Sequence, residues 1–160
     1  SAAEAAAIVA AMKYPPVGRR GVAIGIAHDR YLPSSPAEAL AAANDRTVCI
    51  ALIETAAAIA DIDAIAAVPG LDMLWVGHFD LSTSLGIPGQ FDHPDFNAAV
   101  EQVIKAAQSN DLSLGRMVGT VDEGIALNRQ GFDFICYGSD LSLLRDSVHQ
   151  GIDALRRGCG

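Results

Sequence analysis

Hydrophobic positions along the chain follow two patterns. Four short apolar runs are typical of strands buried on both faces, as in the run TVCIALI at 47–53. The segments between the runs place apolar residues at helical spacing, as at 93–109. The predicted strands are 47–53, 71–76, 112–118 and 132–137, and the predicted helices beside them are 55–68, 93–109, 121–130 and 139–157.

The first third of the chain has a different pattern. An alanine-rich helix is predicted at 2–12, with Ile8, Val9 and Met12 as candidate buried residues. A long irregular stretch at 14–36 contains four of the seven prolines, and it includes a predicted extended piece at 21–26. A short helix is predicted at 36–43, with Ser35 as its cap and Pro36 at its first position.

Strand and helix alternate four times with short connections, and this order predicts a parallel α/β fold. We expect a single domain over residues 1–160. A complete (β/α)8 barrel needs at least about 200 residues. The four units therefore fit either a small open α/β sheet or the second half of a barrel.

Composition and charge exclude several classes of function. The chain is 51% apolar and carries a net charge of −8. Non-specific binding to nucleic acid or to an anionic membrane needs excess Lys and Arg, so neither partner is expected. No apolar run approaches the roughly 18 residues of a membrane span, and no secretory signal is found. Three cysteines without ligand spacing are ordinary in a reducing compartment, which favours a cytoplasmic location. Cys49 and Cys136 lie inside apolar runs and are predicted to be small core residues.

Two carboxylates fall where a parallel α/β fold places its ligand sites. Glu54 follows the first predicted strand of the repeating pattern and Asp80 follows the second, and ligands bind at the carboxyl ends of such strands. Mg²⁺ is commonly held by one or two carboxylates with waters or substrate oxygens. The structural alternative is that Glu54 caps the next helix and Asp80 caps a turn. His78, two residues before Asp80, is either a structural hydrogen-bonding residue or a proton carrier.

The residues around these carboxylates resemble the HpcH/HpaI aldolase family of metal-dependent class II pyruvate aldolases. The resemblance rests first on IET at 53–55 and on VGHFDLS at 76–82. The segment YPPVGRRG at 14–21 is similar to the family pattern YPPxGxRG. The segments at 85–94 and 131–140 also match, so the similarity covers nearly the whole chain.

The resemblance implies the C-terminal portion of a (β/α)8 barrel, with about four parallel βα units and a leading helix. In such a barrel Glu54 and Asp80 would bind one divalent metal, Mg²⁺ or Mn²⁺, with Co²⁺ as a substitute. The backbone N–H groups of Phe79 and Asp80 would hold the carboxylate of pyruvate or oxaloacetate. The implied activity is an aldolase that forms or cleaves 4-hydroxy-2-oxo acids through a metal-bound pyruvate enolate, with an aldehyde as second substrate. Family members form hexamers in which the last helix packs on an adjacent subunit, so a homo-oligomer, a hexamer, is expected.

The sequence also departs from the family. The His for acid–base catalysis and the Arg that binds substrate belong to the N-terminal part of the family barrel and have no counterpart here. The isolated chain is therefore expected to be nearly inactive, with His78 as the one nearby substitute. His78 and Phe79 replace a small Pro-Ala pair, and Leu52 stands where Gln is frequent. Two alternatives remain: a catalytically silent metal-binding barrel fragment, or a lyase of the citrate-lyase β type, for which no CoA site is evident.

The other histidines have separate expectations. His28 lies in the long loop and either contacts substrate or a neighbouring subunit or is structural. His93 is expected at a helix start, and His149 on the exposed surface of the last helix.

Overall fold

The computed structural model describes residues 1–31 and 35–159. Contacts group these residues into two compact units, Ser1–Leu114 and Gly115–Gly160, with β3 beginning in the first and continuing in the second. The described helices are α1 (Ala2–Met12), α2 (Pro36–Arg46), α3 (Ala56–Ala60), α4 (Ile62–Ala66), α5 (His78–Ser84), α6 (Pro94–Ser109), α7 (Val121–Arg129) and α8 (Asp140–Cys159), and the described strands are β1 (Ile50–Ile53), β2 (Met73–Val76), β3 (Ser113–Val118) and β4 (Phe134–Tyr137).

The first unit is built on a parallel pair of strands. β1 and β2 run side by side in a register that pairs Ile50 with Met73 and Ile53 with Val76. Helix α6 packs on β2 and on α4, and α1 packs on α4. The apolar spacing predicted for α6 is confirmed, because its buried side chains recur every three or four residues. The largest fully buried side chains of this unit include Ile53, Leu74, Val76, Leu81, Phe96 and Val103.

Burial on both faces is confirmed for β2 and wrong for β1. In β2 the adjacent residues Met73 and Leu74 are both buried. In β1, Ile53 is 1% exposed, whereas Ile50 is 43% and Leu52 52% exposed. Among the described residues only one face of β1 is covered, so its other face presents apolar side chains to solvent.

Two predictions for the predicted helices fail for identifiable reasons. The helix predicted at 55–68 is interrupted at Asp61, whose carboxylate accepts a hydrogen bond from the backbone N–H of Ala2 at 2.8 Å. In α1, Val9 is 5% exposed and Ile8 is 53% exposed, so the prediction of a buried Ile8 is wrong. Residues 8 and 9 project about 100° apart around a helix, and only one of them faces the core.

The segment after α1 is fastened to α2 by polar contacts. The Asn44 side chain accepts a hydrogen bond from the Tyr14 backbone N–H at 2.7 Å and donates one to the Tyr14 carbonyl at 3.1 Å. The buried Lys13 ammonium donates to the backbone carbonyls of Asn44, at 2.7 Å, and Thr47. The extended piece predicted at 21–26 forms no strand within the part of the chain that the structure describes, although the Ile26 backbone is extended. Helix α2 begins at Pro36 as predicted and extends three residues further, to Arg46.

The cysteines differ in their environments. Cys49 is 1% exposed, as predicted for a core residue, and burial raises the pKa of its thiol. Cys136 is only half-buried, so it fits the prediction of a core residue in part. The reason is that β4 is covered less fully than β2. Cys159 is exposed at the end of α8.

The second unit contains a strand pair and two helices. β3 and β4 are parallel, with Gly115 opposite Phe134 and Val118 opposite Tyr137. The buried Arg116 guanidinium lies 3.3 Å from the Glu123 carboxylate of α7. The second oxygen of Glu123 accepts a hydrogen bond from the Gly119 N–H at 3.0 Å. This carboxylate therefore joins β3, the turn after it and α7.

Helix α8 presents an uncovered apolar stripe. It begins within one residue of the predicted start and ends at Cys159, two residues past the predicted end. None of its described residues is buried. The side chains that form the stripe, at helical spacing, are Leu141, Leu144, Val148, Ile152 and Leu155. Within the described ranges, no helix has the length and apolar character that crossing a bilayer requires.

Candidate active site

Glu54 lies at the carboxyl end of the β1–β2 pair. The Gly77 N–H donates to the Ile53 carbonyl at 3.0 Å, so strand pairing continues one residue beyond the end of β2. This pairing places the Glu54 side chain against Gly77. A Cβ atom built on Gly77 would be 2.9 Å from the Glu54 Cβ and 3.3 Å from its Oε2. The half-buried Glu54 carboxylate therefore lies beside the end of β2.

Asp80 lies in the first turn of a helix that the sequence analysis missed. Helix α5 begins at His78, directly after Gly77, and the Leu81 N–H donates to the Gly77 carbonyl at 2.8 Å. The N–H groups of Phe79 and Asp80 precede that bond, so they have no acceptor within the helix. Such N–H groups and the helix dipole favour an anion at this end.

Two features of the sequence could have revealed α5. Leu81 and Leu85 are four residues apart, so they lie on the same face of a helix, and Leu81 is fully buried. Gly86 follows with φ +78°, the left-handed conformation that commonly ends a helix.

The structure argues against the capping alternative for Glu54. Thr55 caps α3, because its Oγ1 accepts a hydrogen bond from the Ala58 N–H at 3.0 Å. The Ala56 N–H donates to the Ser84 Oγ at 3.0 Å, which connects the start of α3 to the end of α5. Among the described residues, neither the Glu54 nor the Asp80 carboxylate has a hydrogen-bond or ion-pair partner. The oxygens of both carboxylates are therefore available to bind a ligand.

The donor set fits a hard divalent cation. Mg²⁺ commonly takes one or two carboxylate ligands from a protein, and waters or substrate complete its octahedron. Glu54 and Asp80 supply two such carboxylates. Within the described ranges, no group of three or more His, Cys, Asp or Glu could hold a metal. A site for a softer metal with several nitrogen or sulfur ligands is therefore not among these residues.

His78 belongs to an aromatic cluster. Its ring centroid lies 4.7 Å from that of Phe79 and 5.1 Å from that of Phe91. Phe91 in turn contacts the fully buried Phe96 at 5.5 Å. Phe79 is 63% exposed, and its carbonyl accepts a hydrogen bond from the Ser82 hydroxyl at 2.9 Å. The cluster therefore connects the core to the first turn of α5 and holds the half-buried His78 ring between two other rings.

The other three histidines belong to other elements of the chain. His93 caps α6 as predicted, with its Nδ1 accepting from the Asp95 N–H at 3.2 Å. His149 is exposed on α8, also as predicted. His28 is exposed in a 3-10 turn at Ala27–Asp29.

Gly77→Ala should destabilise the first unit. The added Cβ would meet the Glu54 Cβ at 2.9 Å and the Leu52 Cδ1 at 3.2 Å, so the ends of β1 and β2 would have to separate. Overpacking of this kind costs about 1–3 kcal/mol. Urea unfolding followed by circular dichroism should show the loss. Gly21→Ala is the matched control, because a Cβ there meets nothing within 4 Å; equal midpoints for the two variants would contradict the close approach.

Comparisons with known proteins agree with these features. The family model described as HpcH/HpaI aldolase/citrate lyase matches residues 1–147. The chain is 35% identical to 2-dehydro-3,6-dideoxy-6-sulfogluconate aldolase of Pseudomonas putida, over 98% of this chain and 60% of the relative. It is 33% identical to hydroxypyruvate/pyruvate aldolase of Chromohalobacter salexigens, over 95% of this chain and 59% of the relative. The chain thus spans about three fifths of the length of these curated relatives.

Solved structures show the same architecture. The HpcH/HpaI aldolase of Desulfitobacterium hafniense is 34% identical and superposes with a TM-score of 0.87, over 98% of this chain and 60% of that one. Macrophomate synthase is 27% identical with a TM-score of 0.79, over 100% of this chain and 58% of the other. The predicted fold class, part of a (β/α)8 barrel with four parallel strands, is confirmed. With its Glu54 and Asp80 motifs in the expected order, the chain belongs to the HpcH/HpaI aldolase/citrate lyase family.

Proposed function

We propose that this chain is the metal-binding part of a class II aldolase, a carbon–carbon lyase that forms or cleaves 4-hydroxy-2-oxo acids. One observation carries the proposal. Two carboxylates without a partner among the described residues, Glu54 and Asp80, lie at the ends of paired parallel strands and beside the first turn of α5. Neither carboxylate has a counter-charge within the described part of the chain, and a divalent cation would supply one.

Glu54 and Asp80 would hold Mg²⁺ or Mn²⁺, with Co²⁺ as a substitute. When bound, such a cation acts as a Lewis acid that stabilises the negative charge of an enolate. Glu54 is positioned by the continued pairing of Ile53 with Gly77, and Asp80 by the first turn of α5. The two side chains thus come from elements whose relative position the strand pair determines.

The first turn of α5 would bind the carboxylate of a 2-oxo acid such as pyruvate or oxaloacetate. The N–H groups of Phe79 and Asp80 point out of the helix start and can donate to that carboxylate. Such donors hold the substrate in one orientation beside the two carboxylates. The aldehyde is the second substrate. The similarity to a hydroxypyruvate/pyruvate aldolase supports a 2-oxo acid as substrate.

His78 is the side chain of this chain best placed to hold or move a proton at the 2-oxo acid's methyl carbon. It is the first residue of α5, next to the proposed carboxylate-binding N–H groups. Its ring is held between Phe79 and Phe91, which limits its rotation. The proposal of a catalytic His78 competes with a purely structural role in the aromatic cluster, and the experiment below separates them.

Loss of either carboxylate should weaken metal binding. We expect Glu54→Gln and Asp80→Asn each to lower Mn²⁺ affinity at least about tenfold, because each removes one of two charged ligands. Isothermal titration calorimetry with Mn²⁺ on the full chain measures this directly. Glu101→Gln changes an exposed carboxylate on α6 and serves as the control. Unchanged affinity in Glu54→Gln would show that the metal site is misassigned.

The 160-residue chain alone should be nearly inactive as an aldolase, even with Mg²⁺ or Mn²⁺ present. General acid–base groups typically contribute about 10²–10⁴-fold, and the family His for that work has no counterpart here. Exchange of the pyruvate methyl protons for deuterium, followed by NMR, measures the proton step alone. We expect residual metal-dependent exchange that falls at least about tenfold in His78→Gln while Mn²⁺ affinity is retained.

Two outcomes of that exchange experiment would change the assignment. Equal exchange in His78→Gln and in the unaltered chain would give His78 a structural role only. No metal-dependent exchange in the unaltered chain would favour the second candidate, a catalytically silent metal-binding part of the barrel.

We also propose that the chain acts as a homo-oligomer, a hexamer, with α8 packed on an adjacent subunit. The stripe that includes Leu144 and Val148, 65% and 51% exposed, supports this assignment, because large apolar patches usually mark interfaces. Sedimentation should show about six times the 16.6 kDa chain mass. A Leu144→Glu/Val148→Glu double variant should dissociate, whereas Gln150→Glu, on the same helix, should not; a stable monomer of the unaltered chain would contradict the proposal.

A further inference from the structure

A second cavity, separate in sequence from the carboxylate site, lies in the first unit. It has a volume of about 620 Å³, within the range of small-molecule sites. One wall is a face of α2, and the opposite wall is the 3-10 turn at 27–29 with the residue after it. The residues that line it are His28, Asp29, Arg30, Glu38, Ala39, Ala42 and Arg46.

The cavity gathers basic side chains in an acidic protein. Arg30 and Arg46 both line it, and among the described residues neither side chain forms a hydrogen bond or an ion pair. His28 adds a group that gains positive charge when it is protonated. These groups are concentrated here although acidic residues outnumber Lys and Arg by 19 to 11 in the chain. An incoming anion therefore meets two guanidinium groups that no neighbouring carboxylate already occupies.

The two acidic residues of the cavity equal its arginines in number, but among the described residues neither forms an ion pair with them. Both oxygens of the Asp29 carboxylate accept backbone hydrogen bonds, one from the Gly25 N–H and one from the Tyr31 N–H at 3.1 Å. Glu38 lies in the first turn of α2, eight residues and so about 12 Å along the helix from Arg46. Asp29 thus stabilises the turn through backbone hydrogen bonds, and Glu38 lies too far along the helix to form an ion pair with Arg46.

The turn holds Arg30 in an unusual backbone conformation. Arg30 and Tyr31 have φ of +59° and +57°, the left-handed region that non-glycine residues rarely adopt. Hydrogen bonds from the Arg30 N–H to the Ala27 carbonyl and from the Tyr31 N–H to the Ile26 carbonyl, both near 3.1 Å, maintain it. The position of Arg30 at the cavity wall is therefore determined by the backbone rather than by side-chain packing.

We propose that this cavity binds a small dianion through Arg30 and Arg46. The shared chemistry is two or more anionic oxygens, carried by a phosphate or by a dicarboxylate, which guanidinium groups bind with paired hydrogen bonds. The residues that line the cavity do not include Glu54 or Asp80. His28 adds attraction for the ligand when it is protonated.

Titration of the full ¹⁵N-labelled chain, followed by NMR, tests this proposal. Inorganic phosphate and malonate are the two probes, each at constant ionic strength maintained with NaCl. We expect saturable shifts in the amides of 27–31 and of α2 with at least one probe. Saturation with phosphate alone, with malonate alone or with both identifies the preferred dianion. Shifts that rise linearly with either probe, or that spread over the whole chain, would overturn the proposal.

Matched variants test the assigned side chains. Arg46→Gln and Arg30→Gly should each weaken binding at least about fivefold, since each removes one guanidinium group. Glycine at position 30 keeps the left-handed backbone accessible, so the turn is retained. Lys105→Gln removes an exposed charge on α6 and should bind as the unaltered chain does. Equal affinity in the arginine variants and in Lys105→Gln would assign the binding to general charge and refute the site.

Discussion

The parallel pairing of β1 with β2 is the constraint on which the candidate site depends. The pairing continues one residue past the end of β2, through the hydrogen bond from the Gly77 N–H to the carbonyl of Ile53, the last residue of β1. The same bond sets Glu54 against a residue that has no side chain, and it starts α5 at the next position. Glu54, the open N–H groups of α5 and Asp80 therefore take their places from one strand pair.

Charge in this protein is arranged for ligands as much as for stability. In the second unit the buried Arg116 is matched by Glu123, a pair that joins β3 to α7. In the first unit the Glu54 and Asp80 carboxylates and the Arg30 and Arg46 guanidinium groups have no partner among the described residues. A fold gains nothing from like charges left without partners, so such groups are where ligand chemistry is to be sought. The proposed cation site and the proposed anion site of the first unit are built from these two sets of side chains.

Much of this arrangement could be read from local patterns. The period of α6, the cap at His93 and the placement of Glu54 directly after a strand all follow from residue types at fixed spacing, and they appear in the structure as expected. The IET and VGHFDLS motifs by themselves indicate the family to which the chain belongs. These features depend on neighbours in the chain, and local hydrogen bonding and side-chain periodicity are encoded there.

Other features were decided only by tertiary structure. The apolar run at 47–53 cannot show that one face of β1 is left uncovered, because burial depends on which elements pack against it. Asp61 interrupts a helical pattern because the start of α1 comes to its carboxylate from 59 residues away in sequence. The cavity between residues 28–30 and α2 is likewise lined by two segments, and no local sequence pattern predicts that they lie close together. The sequence by itself determined the elements, the family and the metal-type carboxylates; the tertiary structure decided which faces are covered and which charges meet, because those contacts form between residues far apart in the chain.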